Sequence, residues 1–408
     1  MASIYDFDDI RPFLPEELPH VFDQLLADPQ FRQVATVVMP GIPFDMLSQR
    51  IRACKDSLAF QLNIGHSFVD QLLKEHSTGV EADFSKLDIV NNRFTFISNH
   101  RDIVLDSAIL AKMLVDNGCP TTCEIAIGDN LLSLPWVEKL VRINKSFIVH
   151  RSLPPRQMLL ASKHMCDYIH FVVGEKDDNV WIAQREGRAK NSDDRTQPAL
   201  IKMLSMTPKE LAPLQRLQEL HIVPLAIAYE YDPCDYLKAR EMQLRRDCPD
   251  WKKSAADDVL SMKTGIMGYK GRISYTCAPC MDNTLQAMWE AENAADNAYR
   301  EKEHAVYEKV AALIDKEIHR NYTIFPSNAI ALQWLTELQQ DTTDYTRGVD
   351  RQRLCQYTEK DMETFRQYIQ QQIDLIDLPE KDDPFLLEQM LTMYANPYKN
   401  YLYQWQQA

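Results

Sequence analysis

Between Pro15 and about His76, apolar residues recur at three- and four-residue spacing, as in Phe22-Leu25-Leu26 and Phe68-Leu72-Leu73. That is the spacing of one buried helix face, and Pro40-Gly41-Ile42-Pro43 is the clearest break in it. The pattern predicts an N-terminal helical region over residues 1–84. From about 90 to 280 the pattern changes to short apolar runs separated by longer helical stretches. The runs are Phe94–Ser98, Glu124–Ile127, Ser146–Val149, Val180–Ala183, Val223–Tyr229 and Arg272–Tyr275. Strands alternating with helices predict an α/β domain over 85–280, with a central mixed, largely parallel sheet and helices flanking it. From about Asp282 the helical spacing returns and continues through the charged stretch Arg300-Glu-Lys-Glu-His304, giving a C-terminal helical region over 281–408. With no repeat, low-complexity tract or long linker, both helical regions are expected to pack onto the sheet.

Composition narrows the class. Only 11 of 408 residues are glycine, so turns needing positive φ are scarce and an all-β sandwich or barrel is disfavoured. Lys and Arg number 45 against 59 Asp and Glu, and the net charge of −14 gives no long-range attraction to nucleic acid or anionic lipid. An anionic ligand must therefore meet a local cationic pocket. The nine cysteines are scattered and odd in number, as expected of reduced thiols in a cytoplasmic protein. The opening residues have neither the basic start nor the apolar core of a signal peptide. The longest apolar stretch, Ile103–Val115, is interrupted by Asp106 and Lys112 and falls short of the roughly 18 residues a spanning helix needs.

The densest polar group is Ser98-Asn99-His100-Arg101-Asp102, where a predicted strand gives way to a predicted helix, with Asp106 one turn further on. A histidine at a strand end can present one ring nitrogen to a substrate while a carboxylate fixes the other, giving a general base with its orienter. The plainer alternative is a helix cap by Asn99 or Asp102, with His100 incidental. Three further segments stand out, two of them apolar runs that end in charge. They are Phe147-Ile-Val-His-Arg151, Gln184-Arg-Glu-Gly-Arg188, and the run Ile222–Tyr229 with Pro224 near its start, which would by itself suggest an edge strand.

In order and content these four segments resemble the blocks of the glycerolipid acyltransferase family, most closely its glycerol-3-phosphate acyltransferase branch. Asn99, His100, Arg101 and Asp106 match the Asn-His-x4-Asp block, and Phe147, Ile148 and Arg151 match Gly-x-x-Phe-Ile-x-Arg. Glu186, Gly187 and Arg188 match Phe-Pro-Glu-Gly-x-Arg-Ser, and Val223-Pro224 match the hydrophobic fourth block. Arg272–Tyr275 after Gly271 resembles the later strand that closes the fold, so the likeness spans roughly 85–280. There are departures. Five residues separate His100 from Asp106 where the family has four, so either the helix entry carries an extra residue or Asp102 takes part of the role. The apolar continuation Ala108-Ile-Leu favours Asp106. Asn144 stands at the family's glycine, making the adjacent Lys145 a further phosphate candidate, and Arg185 stands at its proline.

The resemblance implies transfer of a fatty acyl group from acyl-CoA or acyl carrier protein to a hydroxyl of glycerol 3-phosphate or 1-acylglycerol 3-phosphate, a step of phospholipid biosynthesis. His100 would be the base and Asp106 its orienter. Arg151, Glu186, Gly187, Arg188 and Lys145 would form the acceptor site, with no metal and no cofactor beyond the acyl donor. Two alternatives are the same chemistry on a lyso-amino-acid lipid, and a non-catalytic acyl-chain-binding protein. A lipid product implies peripheral contact with the inner face of a membrane, for which the mixed basic and apolar segment Lys238–Arg246 is a candidate. Among rival chemistries, Cys277-Ala-Pro-Cys280 has zinc-ligand spacing but no second pair follows, and HExxH, GxSxG and GxxxxGK[ST] are missing. Gly265-x-x-Gly268-x-x-Gly271 lacks the strand-to-helix setting of a dinucleotide fingerprint.

Overall fold

A computed structural model describes residues 3–132, 134–151, 153–294 and 303–406. Its centre is a seven-stranded sheet of β1 (Gly79–Asp83), β2 (Thr95–Ser98), β3 (Cys123–Gly128), β4 (Ser146–Val149), β5 (Asn179–Ala183), β6 (Ile222–Tyr229) and β7 (Arg272–Cys277). The spatial order is β1-β7-β6-β2-β5-β3-β4, and only the β6–β7 pair is antiparallel. β2 to β6 therefore run the same way and deliver their carboxyl ends to one edge, where open α/β sheets place ligands. The α/β class and the mixed, largely parallel sheet follow the sequence pattern.

Every residue of β6 is buried, which is why it reads as an unbroken apolar run. It is an interior strand despite Pro224. The Pro224 carbonyl accepts from Ala278 N at 2.9 Å, just beyond the last β7 residue, so the missing donor falls where the β7 ladder ends. β1 lies inside the expected N-terminal helical stretch. Its Gly-Val-Glu-Ala-Asp sequence alternates exposed and half-buried residues at the sheet edge, and two apolar side chains are too few to register as a strand.

Helices cover both faces. Phe147, Tyr168, Val172, Ile182 and Ile314 pack on one side, and Phe96, Leu105, Ile109, Trp181 and Tyr275 on the other. Burial of each such side chain contributes roughly 1.5–3 kcal/mol relative to exposure. The N-terminal helices carry their own cluster around Phe22, Leu25 and Phe60, and the C-terminal helices another around Leu335, Phe365 and Tyr394. Of the expected charged stretch, Arg300-Glu301-Lys302 lies outside the described residues, and the next described helix begins at Glu303.

Candidate active site

β2, the central strand, ends at Ser98, and the next helix begins at Leu105. Between them Asn99 is clamped to β6: its side-chain amide donates to Ile227 O and its carbonyl accepts from Ile227 N, both at 2.8 Å. Asp102 supplies the helix cap, its Oδ1 accepting from Val104 N at 2.9 Å and Leu105 N at 2.7 Å. Asp106 is thereby released from capping. Its Oδ2 accepts from His100 Nδ1 at 2.8 Å and from Arg101 N at 2.6 Å, in a side chain with no solvent exposure. The capping contacts and the contact with His100 thus fall to different carboxylates, Asp102 and Asp106. The extra residue in the spacing is absorbed by the loop before the helix and does not separate the pair.

With Nδ1 donating to Asp106, His100 Nε2 is the basic nitrogen, and it has no hydrogen-bond partner among the described residues. The ring meets Trp181 edge-on at 5.7 Å, and the Trp181 indole is fixed by donating to Ser98 Oγ at 3.0 Å. Trp181 was legible only as a strand residue, because its role depends on the pairing of Phe96 with Trp181 across β2 and β5. Burial and then the Asp106 carboxylate push the Asp102 carboxyl above the usual range, and the facing Arg188 offsets part of this. Gly265 lets the helix Ala255–Met267 press against this loop, since a Cβ there would lie 1.9 Å from Asp102 Oδ2.

The expected acceptor residues separate into three environments. Arg151, after β4, lies half-buried over the end of β3, where a Cβ on Gly128 would come within 2.6 Å of its Nε. Its backbone N–H donates to Asp129 Oδ1 at 3.2 Å, and its guanidinium is 3.8 Å from the exposed Glu186. Gly187, at φ 66°, makes the turn after β5 that turns the chain back into the protein. Arg188 is consequently buried among Cys234, Asp102 and Asp232. Burial would lower its pKa but these neighbours raise it, and its Nη1 has no partner among the described residues. Lys145, expected among the phosphate contacts, instead lies at the amino end of β4, the opposite edge of the sheet. It pairs with Asp178 at 2.6 Å and donates to Thr121 and Thr122, so its charge is committed to holding strand starts together. Arg101 is likewise structural: its two terminal nitrogens meet Asp194 at 3.1 and 2.7 Å, and the Tyr322 hydroxyl donates to the same carboxylate.

Beside the site lies an apolar cavity of about 250 Å³. Val104, just before the helix that follows His100, and Ala108 within it form one wall, while Phe31, Val38, Leu47 and Trp136 come from the N-terminal helices and from the helix Pro135–Ile143. A π-turn over Gln61–Gly65 widens the opposing helix there, with Gln61 Nε2 donating to Asn144 O at 3.1 Å. No described helix is long and apolar enough to cross a membrane. In the segment Lys238–Arg246, Lys238 is buried against Asp232, Arg245 pairs with Glu241, and Arg246 pairs with Asp247 and Asp382.

No protein-family model matches the chain, and no curated protein matches it in sequence. Among solved structures, the 1-acyl-sn-glycerophosphate acyltransferase PlsC from Thermotoga maritima aligns over 76% of this chain and 100% of its own, at 10% identity and a TM-score of 0.33. A superposition that loose fixes neither family nor function.

Proposed function

We propose that this protein is an acyltransferase that moves a fatty acyl group from a thioester to a hydroxyl of a glycerol phosphate. The observation that carries the proposal is the pair itself: His100 Nδ1 held at 2.8 Å by a buried carboxylate, with Nε2 unpartnered at the carboxyl edge of the parallel strands. His100 Nε2 takes the proton from the acceptor hydroxyl as its oxygen attacks the thioester carbonyl. Collapse of the tetrahedral adduct breaks the C–S bond, and the imidazolium returns the proton to the departing thiolate. Asp106 stabilises the imidazolium throughout. The adjacent cavity suits an acyl chain, and Arg151, with Glu186 beside it past the ends of β4 and β5, suits a phosphorylated acceptor. Arg188 acts from behind, opposing the charge of Asp102 and Asp232 under the His100 loop.

The test is incubation of the purified protein with a radiolabelled acyl thioester and, in parallel, glycerol 3-phosphate, 1-acylglycerol 3-phosphate and a lyso-amino-acid lipid. Product from a glycerol phosphate, abolished in a folded His100→Ala protein, supports the reading. Product only from the lyso-amino-acid lipid moves the acceptor class, and full activity in His100→Ala removes the mechanism.

A further inference from the structure

A second cluster of chemistry-bearing side chains lies at the other edge of the sheet. His221 immediately precedes β6, Cys280 lies between β7 and the following helix, and Asp282 is the first residue of that helix, Asp282–Ala294. Their donor atoms, an imidazole nitrogen, a sulfur and a carboxylate oxygen, all lie within 4.8 Å of one another. His221 Nδ1 is 2.6 Å from Asp282 Oδ2, while Asp282 Oδ1 is shielded from solvent and has no hydrogen-bond partner among the described residues. A shielded carboxylate oxygen without a partner is costly, which is the condition a bound cation relieves.

The scaffold beneath the cluster is fixed by backbone bonds. Ala278 N donates to Pro224 O and Met281 N to Ile222 O, each at 2.9 Å, so the loop bearing Cys280 is bonded to the start of β6. His221 adopts φ 47°, a left-handed conformation uncommon outside glycine, and its ring is half-exposed and open to an ion from solvent. The zinc-spaced pair divides its labour: Cys277 is buried in β7 within the apolar core, and Cys280 alone meets His221 and Asp282. The second and third ligands thus come from positions that no spacing rule in the sequence connects.

We infer that His221, Cys280 and Asp282 form a binding site for a divalent transition cation, Zn²⁺ by the chemistry of its donors. One imidazole, one thiolate and one carboxylate suit zinc, whereas Mg²⁺ and Ca²⁺ take oxygen ligands. Three protein ligands leave a fourth tetrahedral position for water. The site is separate from His100: β2 and β6 run parallel in register, and six residues of strand, about 20 Å, lie between His221 and the level of the His100 loop. Coordination would tie the start of β6 to the first turn of the helix Asp282–Ala294, independently of acyl transfer.

The test uses the full chain after chelator treatment and dialysis. Metal analysis after equilibration with micromolar Zn²⁺ is expected to give one ion per chain, and Co²⁺ in its place is expected to show thiolate-to-metal charge-transfer absorption. His221→Ala and Cys280→Ser should each weaken binding by more than about 100-fold, since loss of even an outer-shell partner costs roughly 10–100-fold. Cys248→Ser, at an exposed thiol elsewhere, should bind as the parent does. Circular dichroism on each variant separates ligand loss from unfolding. No stoichiometric binding, binding indifferent to Cys280→Ser, or a Co²⁺ complex without the thiolate band overturns the inference.

Discussion

Replacing Asp106 by Asn isolates the orienting carboxylate with little change of shape. Asp106 Oδ2 accepts from both His100 Nδ1 and Arg101 N, at 2.8 and 2.6 Å. An amide whose oxygen takes the place of Oδ2 keeps both bonds and leaves the imidazole tautomer as it is. Its NH₂ then falls at Oδ1, a buried position with no hydrogen-bond partner among the described residues. What is lost is the charge that stabilises the imidazolium. With the tautomer kept and the charge gone, kcat is expected to fall by about 10²–10³-fold, short of the ~10⁴-fold loss that accompanies a wrong tautomer and equivalent to roughly 2.7–4 kcal/mol, with the acceptor KM little changed. Stability should change little, because relief of the repulsion that pushes the buried Asp102 carboxyl up is set against a buried NH₂ without a partner. Steady-state transfer from a radiolabelled thioester measures the first quantity and thermal unfolding the second. A folded Asp106→Asn protein within about threefold of parental kcat would refute the assignment, and a collapsed melting temperature would show that Asp106 is chiefly structural.

Three further outcomes follow from the geometry. Ala108→Phe places a ring in the roughly 250 Å³ cavity and should lower kcat/KM for long acyl thioesters while sparing short ones, read from a chain-length series. Lys145→Met removes the partner of nearly buried Asp178 and should destabilise the fold by about 3–5 kcal/mol in denaturant titration, yet leave the acceptor KM unchanged, because Lys145 sits at the far edge of the sheet. Asp235, buried beside Asp232 with Tyr368 and Tyr394 donating to it, has its carboxyl raised to about 7. The native state therefore binds more protons than the unfolded state between about pH 4 and 7, so this group's contribution to stability falls as pH rises through that window. Asp235→Asn should flatten that slope in urea titrations across the same range.

The sheet was legible wherever a strand is buried on both faces. β6 and β2 announce themselves as apolar runs because interior parallel strands have no solvent face to mark with polar residues. β1 was not legible, since an edge strand with two half-buried apolar residues looks like any loop, and only the β7 pairing makes it a strand. Pro224 misleads in the other direction. Proline in a run argues for an edge, but what matters is which side its missing N–H faces, and that depends on where β7 stops.

The site divides along the same line between local and long-range information. His100 and Asp106 lie on one loop-to-helix junction, so a six-residue interval could carry the pairing, and the alternative of a capping aspartate was visible as Asp102. Arg151, Glu186 and Arg188 depend on where separate strands end, and two residues of chain decide their fates: Glu186 faces solvent beside Arg151 while Arg188, past the left-handed turn at Gly187, is carried under the loop. Lys145 shows the limit most sharply. It is six residues from Arg151 in sequence, but β4 lies between them, and crossing a strand means crossing the sheet. A cation placed before a parallel strand braces the amino edge, and one placed after it reaches the carboxyl edge, so the side of the strand, more than the charge, decides whether a basic residue can meet the substrate.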